Sequence, residues 1–324
     1  MKGNTIMKAM VLPKFGNYNL FELRHLDLPE PGPGEVLVKV IASGTNPVDA
    51  KLRANGAWAN LSPPVIIGYD VAGIVEAVGA GVNDFVPGNE VYYTPHIMGN
   101  TYGSYAEYNI VPVSIIATKP KNISFSEAAV IPLAGGTAWE AVIRRLKVKA
   151  GQNVLIHGGA GGVGSFAVQF AKTSGAKVIA TASAKNLETL EKLGADTALD
   201  YREENLNDKI MKQTDNQGVD AAFDIEGENR VARCLPVVKP YGKIACIIPP
   251  QGDLTLLYQK NISLYGVFLT RERKRLEEMR PLFERGQVSP LIEQELPLEE
   301  VAKAHQRLDS GHGRGKVVLK IHEN

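Results

Sequence analysis

Near the middle of the chain, an apolar run is joined to a helical pattern through a turn that is dense in glycine. Residues 153–173 read N-V-L-I-H-G-G-A-G-G-V-G-S-F-A-V-Q-F-A-K-T. The run at 154–156 is typical of a short buried strand, and apolar residues recur at helical spacing after the turn. A strand, a glycine-rich turn and a helix in this order begin a βαβ unit, which restricts the chain to few folds.

Gly159, Gly161 and Gly164 give this turn the pattern G-x-G-x-x-G. The first permits the tight turn, the second lets the backbone approach a pyrophosphate, and the third lets the helix lie close on the strand. The first N–H groups of the helix then face the anion. Such a motif by itself could be an ordinary loop, but Gly175 ends the helix and 177–182 supplies a second strand within about 30 residues. The context therefore predicts a dinucleotide site.

The end of the second predicted strand indicates which dinucleotide binds. NAD sites place a carboxylate on the ribose 2′-hydroxyl about 20 residues after the glycines. Here residues 181–185 read T-A-S-A-K, and the first carboxylate is Glu188, inside the next predicted helix. Ser183 and Lys185 offer a hydroxyl and an ammonium, which suit a 2′-phosphate, although Lys185 could also be a solvated residue at a helix start. We therefore predict NADPH rather than NADH.

Length and composition restrict the class of protein. The 324 residues suggest two domains, and 44% hydrophobic with 22% charged residues is typical of a globular enzyme. A formal net charge of +1 predicts neither nucleic acid nor an anionic membrane as a partner. Cys234 and Cys246 are too few for a disulfide framework and are predicted to be core thiols. With no apolar run near ~20 residues and no signal sequence at 1–6, we expect a cytoplasmic protein.

Strand and helix patterns divide the chain into parts. Residues 1–125 are predicted to form an all-β domain without helical periodicity, and residues 126–270 a doubly wound parallel sheet. The predicted strands of that sheet are 153–157, 177–182, 219–225, 243–248 and 263–269. Residues 271–324 are predicted to return to the β domain through helices at 271–285 and 298–308 and a strand at 316–321.

Several further motifs carry a resemblance to a known family. They are M-K-A-M-V-L at 7–12, P-G-P-G-E-V-L-V-K-V at 31–40, S-G-T-N-P-V-D at 43–49, I-G-Y-D-V-A-G-I-V-E-A-V-G at 67–79, G-S-Y-A-E-Y at 103–108, G-G-A-G-G-V-G at 158–164 and G-H-G-R-G-K-V-V-L at 311–319. In this order the chain resembles the medium-chain dehydrogenase/reductase superfamily, in its zinc-independent, zeta-crystallin-like quinone oxidoreductase branch. The resemblance implies an α/β protein in which a GroES-like β domain and a Rossmann doubly wound parallel sheet form a cleft.

The same resemblance bears on metal binding. Zinc-dependent members hold the catalytic metal at positions that here carry Asn46, Tyr69 and Leu133, and their lobe of four clustered cysteines is missing. Because these positions offer neither thiolate nor imidazole, we expect no metal. Without a Lewis acid the oxidation of an alcohol is disfavoured, but hydride transfer to a quinone or an α,β-unsaturated carbonyl remains feasible.

Asn46, Tyr69 and Lys51 are the predicted catalytic residues, as donors to the oxyanion that such a reduction forms. The resemblance implies that Asn46 contacts the nicotinamide end and that Tyr69 faces the substrate. Lys51 stands where several members have a tyrosine. Each has an alternative: Asn46 as a turn-former before Pro47, Tyr69 as a half-buried aromatic, and Lys51 as a solvated surface residue.

The resemblance also implies contacts with the cofactor. They are Asn46, Thr137, Phe268 and Leu269 near the nicotinamide, Gly161, Gly162 and Val163 on the pyrophosphate, Ser183, Lys185 and Tyr201 around the 2′-phosphate, and His312, Gly313 and Arg314 closing the cofactor cleft. Tyr201 lies in L-D-Y, which matches the family's I-D-Y or I-N-Y. The assembly implied is a homodimer formed through the sheet edge at 263–269.

Two functions of different class are compatible with these patterns. The first is an NADPH-dependent reductase of a small-molecule quinone or enone, which would bind in a pocket formed by the loops at 54–61 and 97–102. The second is a non-catalytic NADPH-binding protein, as lens crystallins and assembly factors of this branch are, because a fold does not guarantee turnover.

Overall fold

The computed structural model describes residues 6–323, so the predicted lack of a signal sequence falls mostly outside the described residues. The chain divides into two compact units. The β-rich unit contains the described residues up to Leu133, then Thr270–Arg285, then the described residues from Pro290 onward. The parallel-sheet unit contains Ala134–Leu269 and Gly286–Ser289.

Strands and helices follow each other in the order that a β-rich first part and an alternating second part predict. The strands are β1 (Ile6–Leu12), β2 (Glu22–Asp27), β3 (Glu35–Gly44), β4 (Val65–Ile66), β5 (Val71–Val78), β6 (Glu90–Tyr93), β7 (Tyr108–Pro112), β8 (Ala117–Thr118), β9 (Asn153–Ile156), β10 (Lys177–Ala182), β11 (Thr197–Asp200), β12 (Val219–Asp224), β13 (Val238–Cys246), β14 (Ser263–Gly266), β15 (Ile292–Pro297) and β16 (Lys316–Lys320). The α-helices are α1 (Pro47–Ala54), α2 (Phe125–Ala128), α3 (Pro132–Trp139), α4 (Gly162–Thr173), α5 (Leu187–Lys192), α6 (Leu206–Gln213), α7 (Arg230–Cys234), α8 (Thr255–Gln259), α9 (Arg273–Glu284) and α10 (Val301–Asp309). A π-helical segment, Glu140–Arg145, follows α3.

The β-rich unit contains two sheets. One has the order β2-β1-β4, and the other has the order β15-β16-β3-β5-β6-β8, with β7 also paired to β3. Strand β16 runs antiparallel to β3, with Leu319 opposite Ser43, so the last strand lies in the same sheet as β3. Apolar side chains from both ends of the chain, among them Leu12, Ile67 and Leu319, are fully buried in its core.

Helix α1 shows that the prediction of no helix before residue 125 is wrong. Asn46 is its N-cap, Pro47 takes the first helical position, and the Asp49 carboxylate accepts a hydrogen bond of 2.8 Å from Asn46 N–H. Proline at the first position and an acid two residues later are strong local helix-start signals. The helix has too few buried apolar residues for its periodicity to be visible, but these signals were present in the sequence.

The parallel-sheet unit has six strands in the order β11-β10-β9-β12-β13-β14, all pairs parallel. Counted within the unit this is the order 3-2-1-4-5-6 of a Rossmann fold, which confirms the predicted doubly wound sheet. Strand β11 was not predicted, because Leu199 is its only buried residue and T-A-L-D lacks a β-branched apolar run. Cys234 and Cys246 are buried free thiols, as predicted.

Candidate cofactor and acceptor site

The glycine-rich turn connects β9 to α4 and leaves open backbone at its tip. A Cβ atom on Gly164 would lie 2.1 Å from the carbonyl oxygen of Gly158, so only glycine permits this approach of helix to strand. A Cβ on Gly161 would meet only that same oxygen, at 3.4 Å, so the space beside Gly161 is open. Gly162 and Val163 open the helix, where N–H groups have no intrahelical acceptor. The turn therefore fits a pyrophosphate.

The ends of β10 and β11 meet beside this turn. Tyr201 N–H donates a 3.1 Å hydrogen bond to the carbonyl of Ala182, which places Tyr201 next to the residue that follows β10, Ser183. Lys185 is exposed in the short turn after Ser183. Glu188, the nearest carboxylate after β10, lies on α5 and pairs with Lys192 at 2.7 Å. The hydroxyl, ammonium and phenol predicted around a 2′-phosphate thus lie on adjoining segments.

A cavity of about 130 Å³ opens beside the end of β9, lined by His157, Arg230, Arg233, Cys234 and residues 204–208. His157 Nδ1 lies 3.2 Å from the Thr181 hydroxyl, while its buried Nε2 has no hydrogen-bond partner within residues 6–323. Burial lowers the pKa of His157 to about 4, with smaller contributions from the two arginines, so the ring is neutral. His157 directly precedes the glycines of the turn.

Asn46 is buried in the β-rich unit, and its side-chain amide is fully used within that unit. Its Nδ2 donates to the carboxylate of Asp70 at 2.9 Å and to the Gly44 carbonyl at 3.4 Å. Its Oδ1 accepts a hydrogen bond from Lys316 Nζ. Both amide hydrogens therefore have acceptors, which is unfavourable for a direct role as an oxyanion donor and favours a positioning role.

Asp70 is the centre of this arrangement, which we call the Asp70 cluster: Asn46, Asp70, Lys316 and the backbone N–H of Leu133. Asp70 accepts from Leu133 N–H at 2.7 Å and pairs with Lys316 at 3.3 Å, and both charged side chains are at most 5% exposed. Burial raises the pKa of Asp70, and Lys316 opposes that shift. Asn46 and the backbone N–H of Leu133 bond the Asp70 carboxylate, and Tyr69 directly precedes Asp70 in the chain. All three positions that the resemblance matches to zinc ligands therefore lie next to this buried carboxylate. Sequence reasoning missed Asp70 and Lys316.

Tyr69 is fully buried, and its hydroxyl has no hydrogen-bond partner among the residues that the structure describes. Burial raises the pKa of Tyr69 above its ordinary value, with a smaller effect of Asp49, so the phenol keeps its proton. A buried hydroxyl without a partner costs about 1–3 kcal/mol, and such a group requires a reason in a folded protein. The arrangement leaves one protonated donor available for a ligand oxygen.

A chain of hydrogen bonds extends from Asp49 towards the surface. The Asp49 carboxylate accepts from the Tyr105 hydroxyl at 2.8 Å, and that hydroxyl lies 3.1 Å from His305 Nε2. Arg53 Nη1 lies 3.3 Å from His305 Nδ1 and pairs with Asp309 at 2.9 Å. Because arginine only donates, His305 accepts at Nδ1 and donates from Nε2, so the bonds from Arg53 through His305 and Tyr105 all point towards Asp49. Burial raises the pKa of Asp49 to about 7, an effect that Tyr105 partly offsets.

The other predicted site residues lie in varied surroundings. Lys51 is exposed on α1, Thr137 is buried on α3, and Phe268 is exposed after β14 whereas Leu269 is buried. The segment His312, Gly313 and Arg314 precedes β16, with His312 Nδ1 2.6 Å from the Ser310 carbonyl. Their predicted cofactor contacts stay predictions.

Within residues 6–323 no group of three or more His, Cys, Asp or Glu side chains is arranged to hold a metal ion. None of the helices described combines the length and the apolar character needed to cross a bilayer.

Comparison with known proteins identifies the family. Residues 32–121 match the profile described as "Alcohol dehydrogenase GroES-like domain", and residues 193–319 match "Zinc-binding dehydrogenase". The chain is 37% identical to the NADPH-dependent alkenal/one oxidoreductase, chloroplastic, of Arabidopsis thaliana, over 97% of this chain and 79% of that protein. It is 31% identical to the quinone oxidoreductase of Homo sapiens, over 98% of this chain and 99% of that protein.

A solved structure of similar fold carries a different cofactor in its name. The crystal structure of an "NAD-dependent alcohol dehydrogenase" superimposes with a TM-score of 0.92 at 32% identity, covering 98% of this chain and all of that one. The fold alone therefore does not distinguish the two dinucleotides. With the GroES-like domain matched and the Rossmann strand order observed, the chain belongs to the medium-chain dehydrogenase/reductase superfamily, among whose members quinone oxidoreductases and alkenal/one oxidoreductases are its relatives.

Proposed function

We propose that this protein is an NADPH-dependent oxidoreductase that reduces a quinone or an α,β-unsaturated carbonyl compound. One observation carries the proposal. The open glycine-rich turn lies beside a strand end that presents Ser183 and Lys185 and no carboxylate of its own, a combination that suits a phosphorylated dinucleotide. The relatives named for NADPH-dependent alkenal/one reduction and for quinone reduction support the same activity.

The parallel-sheet unit would hold NADPH through groups that are already in place. The N–H groups at Gly162 and Val163 would bind the pyrophosphate, and Ser183, Lys185 and Tyr201 would bind the 2′-phosphate. When bound, the nicotinamide supplies the hydride. The protein must then orient the acceptor, exclude water and donate to the oxygen on which negative charge develops.

Tyr69 is the residue best suited to donate to that oxygen. Its phenol is protonated, buried and without a hydrogen-bond partner among the described residues. It could therefore donate to an acceptor's carbonyl oxygen without breaking another hydrogen bond. Asn46 would act through position, because its amide is held by Asp70 and Lys316. Lys51, exposed on α1, stays the weakest of the three predicted catalytic residues.

The donor chemistry at the three matched positions does not fit zinc. An amide, a phenol with a raised pKa and an aliphatic side chain stand there, and the Lys316 ammonium already bonds Asn46 and Asp70. A divalent cation placed beside that ammonium would meet like charge, and neither the amide nor the protonated phenol is a typical zinc ligand. The proposed chemistry therefore assigns the polarising role to Tyr69 rather than to a metal.

A spectrophotometric assay tests the proposal. The full-length protein is mixed with NADPH and a panel of quinones, alkenals and enones, and the loss of reduced-nicotinamide absorbance is followed, with saturated aldehydes as controls. We expect oxidation that depends on the activated acceptor and survives a chelator. NADPH binding without acceptor-dependent oxidation would support the alternative, a non-catalytic NADPH-binding protein. Absence of NADPH binding would contradict both.

The assembly proposed is a homodimer formed through β14. This strand is the last in the six-stranded sheet, so one of its edges has no partner strand within the described residues. Exposed aromatic side chains lie close in sequence to this strand, with Tyr258 84% exposed. An unpaired edge is a natural site for pairing with a second copy. Light scattering in solution measures the mass directly. The cytoplasmic location stays a prediction, and the Arabidopsis relative is named chloroplastic.

A further inference from the structure

A carboxylate lies beside the residues predicted to hold the 2′-phosphate, where its charge would oppose that ligand. Asp200 is the last residue of β11, and Tyr201 N–H is bonded to the Ala182 carbonyl at the end of β10. The backbone N–H of Ala184 is close enough to help lower the pKa of the Asp200 carboxyl, so this acid lies near the turn that follows Ser183. The Asp200 carboxylate and a 2′-phosphate bound beside it would both be negative. Their repulsion would weaken binding unless the charge of the carboxylate is neutralised.

Arg202 neutralises that carboxylate through one edge of its guanidinium group. Its Nε lies 3.1 Å from Asp200 Oδ1 and its Nη2 lies 2.8 Å from Oδ2, while its backbone N–H donates to Oδ1 at 3.0 Å. These bonds, with a smaller contribution from Ala184, lower the pKa of Asp200, so the acid stays charged and needs its partner. The side chain of Arg202 is 59% exposed, and the remaining Nη1 hydrogens are not used on Asp200. A guanidinium group can therefore serve two anions at once.

The ring of Tyr201 contacts two guanidinium groups. The centre of its ring is 5.7 Å from Arg202 and 4.9 Å from Arg230. Arg230 is itself paired with Glu226 at 3.1 Å, so its charge is already balanced. Contact with the ring restricts the positions that the Arg202 guanidinium group can take.

We propose that Arg202 is a specificity-determining residue for the 2′-phosphate: it masks the Asp200 carboxylate and offers its remaining N–H groups to the phosphate. The inference rests on the proposed use of NADPH and deepens it. Ser183 and Lys185 would attract the 2′-phosphate, but they do not explain how it could bind beside the Asp200 carboxylate. Arg202 explains this, because it neutralises that carboxylate.

Binding of two nucleotides to the full-length protein tests this role without turnover. Calorimetry with 2′,5′-ADP and with 5′-AMP isolates the contribution of the 2′-phosphate. The variants are Arg202→Ala, Asp200→Asn and the double variant. Arg24→Ala is the matched control, because Arg24 pairs with an acid two residues away, Glu22, at 2.6 Å on a strand of the β-rich unit.

We expect Arg202→Ala to weaken 2′,5′-ADP binding about tenfold and to leave 5′-AMP binding within about twofold. Asp200→Asn in the Arg202→Ala background should recover a large part of that loss, since the unmasked charge is removed. Arg24→Ala should match the parent for both nucleotides. Unfolding curves that superimpose for all variants establish that the fold is unchanged.

Two results would overturn the proposal while leaving the proposed function intact. One is an Arg202→Ala variant with the parent's preference for 2′,5′-ADP. The other is a double variant as weak as Arg202→Ala, which would show that Asp200 needs no masking. A parent protein with no preference for 2′,5′-ADP over 5′-AMP would be a different failure, since it would contradict the use of NADPH itself and the role of Arg202 with it.

Discussion

We call the glycine-rich turn the cofactor end and the Asp70 cluster the acceptor end, after their proposed roles, and the two are formed by different kinds of interaction. At the cofactor end, neighbouring residues between Gly158 and Gly164 shape open backbone, and the proposed binding groups are N–H groups. At the acceptor end, the Asp70 cluster joins residues as far apart as Asn46 and Lys316, and side-chain charges are buried against each other. We therefore expect NADPH affinity to depend on open space at the cofactor end. We expect the free energy of unfolding to depend on the balance of buried charges at the acceptor end.

The largest expected effect comes from the charge balance of the Asp70 cluster. Lys316→Met leaves the fully buried Asp70 carboxylate without its cation, so the free energy of unfolding should fall by about 3–5 kcal/mol. Denaturant unfolding measures it. Lys320→Met on the same strand, where the side chain is exposed, is the control and should change stability by under about 0.5 kcal/mol.

The double variant Asp70→Asn/Lys316→Met sharpens this prediction. Removing both charges together should recover a large part of the lost stability, because the cost of Lys316→Met arises from an uncompensated charge rather than from lost packing. Equal stability of Lys316→Met and Lys320→Met would contradict the account of the cluster.

At the cofactor end the matching test concerns space. Gly164→Val introduces a side chain where a Cβ atom would already lie 2.1 Å from the Gly158 carbonyl, so α4 must move away from β9. We expect NADPH affinity to fall about 100-fold, or about 2.7 kcal/mol, in a calorimetric titration. Gly266→Ala is the control, since nothing lies within 4 Å of a Cβ atom there. Parent-like affinity of Gly164→Val would show that close helix packing is unnecessary.

Tyr69→Phe separates catalysis from stability at the acceptor end. Loss of the unpaired hydroxyl should lower kcat by about tenfold to hundredfold with NADPH affinity unchanged, while stability stays equal or rises. Steady-state kinetics and denaturant unfolding measure the two effects. Tyr93→Phe is the matched control, because the buried Tyr93 hydroxyl donates to Asn109 at 2.9 Å and its loss should cost stability but not kcat. An unchanged kcat for Tyr69→Phe would exclude the proposed donor role.

A pH dependence of stability is expected from Asp49. Its folded-state pKa, about 7, is above the ordinary value of 3.8, so between these values the folded protein binds more protons than the unfolded chain. Its contribution to stability is therefore complete below about pH 4 and is lost as pH rises towards 7, with a slope of at most about 1.4 kcal/mol per pH unit. Unfolding curves between pH 5 and pH 7 for the parent and Asp49→Asn should converge at lower pH and diverge at higher pH. Parallel curves would contradict this assignment.

The difference between the two ends also explains what the sequence could predict. The glycine turn, the strands on either side of it and the residues after β10 follow one another in the sequence. Their spacing and the conformational freedom of glycine were therefore enough to predict the cofactor site. The doubly wound parallel sheet followed from the alternation of strands and helices and from family resemblance, whereas its strand order was not predicted. Strand β11 was missed because its four residues carry little apolar signal.

The Asp70 cluster and the Asp49 chain could not be found in this way. Lys316 contacts Asn46 and Asp70 only because β16 pairs with β3, and His305 reaches Tyr105 only because α10 packs beside α1. These are tertiary contacts between residues about 200 or more apart in the chain, and no local pattern encodes them. Asn46 and Tyr69 were identified by resemblance, but the partners that decide their roles were not.

Calorimetric titration of the full-length protein with NADPH and, separately, with NADH tests the central claim most directly. We predict that NADPH binds at least about tenfold more tightly, because Ser183, Lys185 and Arg202 are the proposed contacts of the 2′-phosphate and Arg202 masks the Asp200 carboxylate. Equal affinity for the two dinucleotides, or tighter binding of NADH, would contradict it.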